Sequence, residues 1–180
     1  MADDIELVRQ VSRGDSEALR TLVATHGAYL YGVAHALTGS PTDAEDLVQE
    51  TLVAAMKGGY RGEAALRTWL VQILVRRAAM LRRWYRRKGG AASLETAPPG
   101  QVPTAPRRDG PSAADARLDL ATMLQGLSME HRTVLVLREL QGMTYEEIAA
   151  TLQVPRGTVE SRLFRAREEL RRRYGDYFRE

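Results

Sequence analysis

The chain has 180 residues, 44% hydrophobic and 27% charged, which is the balance of a folded protein with room for one ordinary domain or two small ones. It contains no cysteine, so disulfides, thiolate metal sites and thiol catalysis are excluded, and a reducing cytoplasm fits. The first ten residues, MADDIELVRQ, are acidic where a secretory signal would be basic, and no apolar run approaches bilayer length; a cytoplasmic protein without membrane insertion is expected.

The net charge of +3 hides a sharp asymmetry. Met1–Met56 holds nine acids against Arg9, Arg13 and Arg20, whereas Arg76, Arg77, Arg82, Arg83, Arg86, Arg87 and Lys88 follow one another with no acid between them. Such a division points to two partners on two surfaces, one of them polyanionic.

Taken in chain order, Ser16–Leu37 reads as one helix with Leu19, Leu22, Val23, Tyr29, Leu30, Val33 and Leu37 as its buried stripe. Ser40-Pro41-Thr42-Asp43 is a start signal for the next, with serine as cap and proline in the first turn. That helix turns Ala44, Leu47, Val48, Thr51, Leu52 and Ala55 inward and leaves Asp43, Glu45, Asp46, Gln49 and Glu50 outside. Taken by itself, the acidic face is better explained by solvation and helix-dipole placement than by a partner. A further helix over Leu66–Arg87 places Leu66, Trp69, Leu70, Ile73, Leu74 and Leu81 toward the core and ends in RRWYRRK. Of Trp84 and Tyr85, one is expected in the core, while aromatics beside such arginines are also how proteins stack on single-stranded DNA.

Gly89–Pro111 contains five of the seven prolines and almost no large apolar residue, so it reads as a flexible linker. Beyond it Val134–Leu137 falls within a longer helical pattern. Thr144-Tyr145-Glu146-Glu147 is a capping box, Gln153-Val154-Pro155 a break, and Val159, Leu163, Ala166 and Leu170 the core stripe of a second helix. Its other face carries Ser161, Phe164, Arg165 and Glu168, with Arg156 and Gly157 at the N-terminal end and Glu160 on the flank. Two short helices about a tight turn, the second studded with arginine, form a helix-turn-helix suited to a major groove. No strand alternation persists and no repeat is visible, so the expected fold is all-α: two small helical domains, 1–88 and 113–180, joined by a Pro/Gly-rich linker over 89–112.

Asp43–Thr51 (DAEDLVQET), Tyr60-Arg61-Gly62-Glu63 and Arg67-Thr68-Trp69-Leu70 resemble region 2 of the extracytoplasmic-function sigma factors of bacterial RNA polymerase. Val134–Leu140, Tyr145–Ala149 and Pro155–Arg167 resemble region 4 of that family. The resemblance implies that Asp43, Glu45, Asp46, Gln49 and Glu50 dock on core polymerase. It further implies that Tyr60, Arg61, Arg67, Trp69, Arg76, Arg82, Arg83 and Arg86 hold the −10 element, and that Arg156, Gly157, Thr158, Glu160, Ser161, Phe164 and Arg165 read the −35 element. An anti-sigma partner is implied as well, and no cofactor, metal, small-molecule substrate or domain beyond Glu180 is expected. The chain departs from the family at Arg76 and Met80, where Asn and Asp are common, at Glu160, where a basic residue is usual, and at Ser128-Met129, where a proline is common. Promoter preference therefore does not carry over.

Two other classes compete. A stand-alone repressor accounts for Gly142–Arg173 but not for the Asp43–Glu50 pattern, and an enzyme finds no support in His26, His35 and His131, which stand apart from any nucleophile or carboxylate pair.

Overall fold

The computed structural model describes residues 2–87 and 122–175. The chain divides into two compact units, Met1–Trp84 and Tyr85–Glu180. The expected linker lies outside the described residues.

The N-terminal unit is built from α1 (Ala2–Ser12), α2 (Ser16–Thr38), α3 (Pro41–Met56) and α4 (Leu66–Arg87). Its boundaries follow from local chemistry. Asp15 caps α2 by accepting from the amides of Glu17 and Ala18, and Gly39, at φ 71°, closes it in the left-handed conformation that glycine adopts without penalty. Ser40 then accepts from the Asp43 amide with Pro41 in the first turn, as the start signal predicts. Leu22, Leu30, Val33 and Leu37 of α2 are buried together with Ala44, Leu47, Thr51 and Ala55 of α3, and α1 packs against both helices. Thr51 is satisfied within its own helix, its hydroxyl donating to the Leu47 carbonyl at 2.7 Å.

Two expectations are corrected. Val23 is 42% exposed although it shares the arc of Leu30 and Ala34, because periodicity fixes the direction of a side chain but not how far along the helix a neighbour covers it. In α4 the buried set is wider than the expected stripe, since Val71, Val75 and Ala78 are enclosed with Leu66, Leu70 and Leu74.

The C-terminal unit comprises helical residues 122–125, α5 (Met129–Leu135), a π-helical segment (Val136–Leu140), α6 (Tyr145–Leu152) and α7 (Arg156–Tyr174). Thr144 and Glu147 form the reciprocal capping box, with the Glu147 amide donating to the Thr144 hydroxyl and the Thr144 amide to the Glu147 carboxylate. Gln153 ends α6 at φ 56°, and Pro155 precedes the first turn of α7. Val159, Leu163 and Ala166 are buried against α5 and α6, while Leu170 is half-buried.

One charged side chain lies inside this unit. Arg132 is 2% exposed and donates from Nε to the Leu124 carbonyl and from Nη2 to those of Gln125 and Leu127, at 2.8, 3.0 and 3.0 Å. It satisfies the carbonyls at the end of the preceding helical turn and so ties that turn to α5. Burial lowers its pKa to about 10, which still leaves it charged at neutral pH.

Candidate nucleic-acid and protein interfaces

The first candidate surface is the outer face of α3. Ser40 and Pro41 fix where the helix begins, and burial of Ala44, Leu47 and Thr51 fixes its rotation. Glu45, Asp46, Gln49 and Glu50 are therefore exposed on one side, with Asp43 half-buried at the first turn. Among the described residues, no basic side chain pairs with Glu45, Asp46 or Glu50. Val53, 55% exposed, and Met56, 37% exposed, extend the same helix with apolar surface. Uncompensated carboxylates beside exposed aliphatic groups suit a cationic protein partner better than a polyanion.

The second candidate is the loop 57–65 with the start of α4. Tyr60 anchors this loop. The ring is 8% exposed, lies 5.3 Å from the Trp69 ring and donates its hydroxyl to the Ala64 carbonyl at 2.7 Å. Such a side chain braces the loop, with little of its ring facing solvent. Gly62 explains how the loop sits on α1: its φ is +74°, and a Cβ there would lie 2.9 Å from Ile5 Cδ1. Arg61 and Arg67 are exposed, and Trp69 is partly so. The Arg67 guanidinium stacks over the Tyr29 ring, which holds it against α2 by a cation–π contact. Arg76 and Arg83 are exposed on α4, whereas the side chains of Arg82, Trp84, Tyr85 and Arg86 lie outside the described residues.

The third candidate is the exposed face of α7. Glu160, Ser161, Phe164 and Arg165 all face solvent, Phe164 with 67% of its surface. Arg156 and Gly157 are exposed in the first turn, and Thr158 is half-buried, its carbonyl accepting from the Ser161 hydroxyl. A Cβ at Gly157 would meet nothing within 4 Å, so no contact inside the protein calls for glycine there; an outside backbone approaching closely would.

The arginines of α7 divide into two groups. Arg156 pairs with Glu146 and Glu160, Arg162 with Glu130, Arg167 with Glu139, Arg171 with Glu168, and Arg173 with Glu169 and the Gly126 carbonyl. Among the described residues, Arg165 and Arg172 make no such pair. They flank an open groove that also touches Phe164 and His131. Sequence spacing treats Arg171, Arg172 and Arg173 alike; the structure pairs Arg171 with Glu168 and Arg173 with Glu169, and leaves Arg172 outside any ion pair among the described residues. The i,i+4 spacing of Arg156 and Glu160 was a readable sign of their pairing, whereas Glu146 joins only through the fold of the turn.

Among the described residues, no group of three or more His, Asp or Glu side chains could hold a metal ion, and no helix is long and apolar enough to cross a membrane.

Comparison with known proteins bears on both units. The model of Sigma-70 region 2 matches residues 22–89, and that of Sigma-70, region 4 matches residues 117–170. The RNA polymerase sigma-H factor of Pseudomonas aeruginosa is 34% identical over 176 residues, covering 93% of this chain and 91% of the relative. The ECF RNA polymerase sigma-E factor of Haemophilus influenzae is 37% identical over 177 residues, covering 92% of each chain. Two solved structures are also similar. CnrH in complex with the cytosolic domain of CnrY superposes with a TM-score of 0.60 at 30% identity, over 93% of this chain and 94% of that one. The sigma factor RpoE in complex with the anti-sigma factor NepR from Bartonella quintana gives 0.64 at 26% identity, over 87% and 96%.

Proposed function

The chain belongs to the extracytoplasmic-function sigma factors of bacterial RNA polymerase, and from that premise we propose which of its surfaces perform each step. A member of this family binds core polymerase and directs it to −10 and −35 promoter elements, initiating transcription. Asp46, Gln49 and Glu50, with Glu45 and Asp43 at the edge, dock on the core enzyme. Arg61, Arg67, Trp69, Arg76, Arg82, Arg83 and Arg86 engage the −10 strand over the brace made by Tyr60. The first three turns of α7, from Arg156 to Arg165, enter the major groove of the −35 element, with Arg172 on phosphate. Residues 1–88 and 113–180 act as the two binding domains and 89–112 as their tether. The chain works in the cytoplasm as a specificity subunit, without a reaction of its own. The relatives solved with CnrY and NepR support a protein inhibitor for this chain as well.

The observation that carries this reading is the exposed, unpaired carboxylate face of α3 in a chain that also holds a capped helix-turn-helix. Run-off transcription with core polymerase tests it. The full chain yields a discrete transcript that core alone does not, and the double variant Asp46→Arg/Glu50→Arg loses core affinity by about tenfold or more with its melting temperature unchanged, because neither side chain is in the core. Duplex binding without polymerase and no transcript would assign the chain to stand-alone repressors instead.

A further inference from the structure

The start of the recognition helix carries an ion-pair bracket that is set for one base. Arg156 Nη1 lies 2.6 Å from Glu146 Oε1 on α6, and its Nε donates to Glu160 Oε1 at 2.8 Å within α7. One guanidinium thus joins two carboxylates from two helices, and the bracket has a net negative charge. An i,i+4 pair with the cation first is weak alone, but Glu146, ten residues away, anchors the same guanidinium independently. The Glu160 side chain is thereby held beside Ser161 on the exposed face rather than left to roam.

A carboxylate at this place is repelled by every phosphate and by the acceptors that guanine and thymine present in the major groove. Adenine offers its N6 amino group, but the adjacent N7 acceptor faces the second carboxylate oxygen. Only cytosine presents N4 donors without a neighbouring acceptor of its own. We propose that Glu160 is a specificity-determining residue that selects cytosine at one position of the upstream element, with Arg156 and Glu146 as positioning residues that hold its carboxylate. This rests on the proposed reading of the −35 element by α7.

The test uses the full chain assembled with core polymerase and promoter fragments randomised across both elements, with the bound DNA sequenced. The wild type enriches a cytosine at one upstream position. Glu160→Gln moves that position alone from cytosine to adenine, because an amide matches N6 and N7 together, with a change in base ratio of about tenfold. Arg156→Met and Glu146→Gln each flatten the same position by roughly fivefold and leave the others intact, a pattern that mere loss of stability does not produce. An unchanged profile with Glu160→Gln, while Arg165→Ala alters another position, overturns this inference and spares the reading of α7. If Arg165→Ala and Glu160→Gln both leave every position unchanged, the reading of α7 falls with it. Arg156→Met acting at a different position from Glu160→Gln removes the positioning role.

Discussion

The two units use charge in opposite ways. In the N-terminal unit the pairs Arg9–Glu6 and Arg20–Glu17 each lie within one helix, and Glu45, Asp46 and Glu50 of α3 face solvent without a basic partner among the described residues. In the C-terminal unit, beside three pairs within α7, four ion pairs among the described residues cross between elements: Glu130 to Arg162, Glu139 to Arg167, His131 to Glu169 and Glu146 to Arg156. Element length accounts for the contrast. Helices α2 and α3, of 23 and 16 residues, pack on each other along their apolar faces, whereas α5 and α6, of 7 and 8 residues, are too short to be stable alone. Polar ties at corners and caps supplement a small core there. The α3 carboxylates in the first unit thus stay unpaired, while much of the charge in the second is spent on the fold, with Arg165 and Arg172 left outside those pairs among the described residues.

Truncating the interior should separate the two strategies most sharply. Both tryptophans, Trp69 and Trp84, belong to the N-terminal unit, so their fluorescence follows that unit while circular dichroism follows both. Leu70→Ala, at a site with no exposed surface, lowers the fluorescence-detected transition by about 2–5 kcal/mol. Arg132→Met keeps the bulk but removes the guanidinium donors from three carbonyls, of which that of Leu124 still accepts from the Leu127 amide. It costs about 2–4 kcal/mol and moves only the transition seen by circular dichroism. An Arg132→Met protein as stable as the wild type would mean that the polar corner is dispensable and the contrast between units is superficial.

Caps come next in size. Thr144→Ala removes one half of the capping box and should cost the C-terminal unit about 1 kcal/mol, with tryptophan fluorescence unaffected. A loss near zero would show that tertiary packing alone sets the start of α6.

Signals acting within a few residues were legible in the sequence. The serine and proline before α3, the capping box of α6 and the break at Gln153-Val154-Pro155 all stand where the residues place them, because each acts through its own backbone neighbours. The exposed face of α7 follows from the spacing of Val159, Leu163 and Ala166. What depends on distant neighbours was not legible. Tyr60 carries a stacking ring in an arginine-rich context, and nothing local reveals that Trp69 and the Ala64 carbonyl enclose it. Arg132 is one arginine among many until the turn ahead of α5 wraps around it. Glu146 is at the start of a helix like its neighbour Glu147, yet one caps and the other reaches across to Arg156.

The smallest expected effect tests whether any buried ionisation troubles the apolar unit. His26 on α2 has its pKa lowered, first by burial, against the field of Asp4, which raises it, and with a further lowering by Arg67. The unfolded chain takes up this proton near the ordinary value of 6.5, and the folded unit only at lower pH. Between those two values the unfolded state binds more protons, so stability rises with pH through the window and is level above about 6.5 with respect to this group. Acidifying from pH 7 to 5 should therefore lower the fluorescence-detected melting temperature, and His26→Gln should make the decline shallower while leaving the neutral-pH value nearly unchanged. The same substitution should not alter the pH response of the C-terminal unit. If His26→Gln follows the wild-type profile throughout, the acid sensitivity belongs to carboxylates alone, and the imidazole beside Arg67 is indifferent to folding.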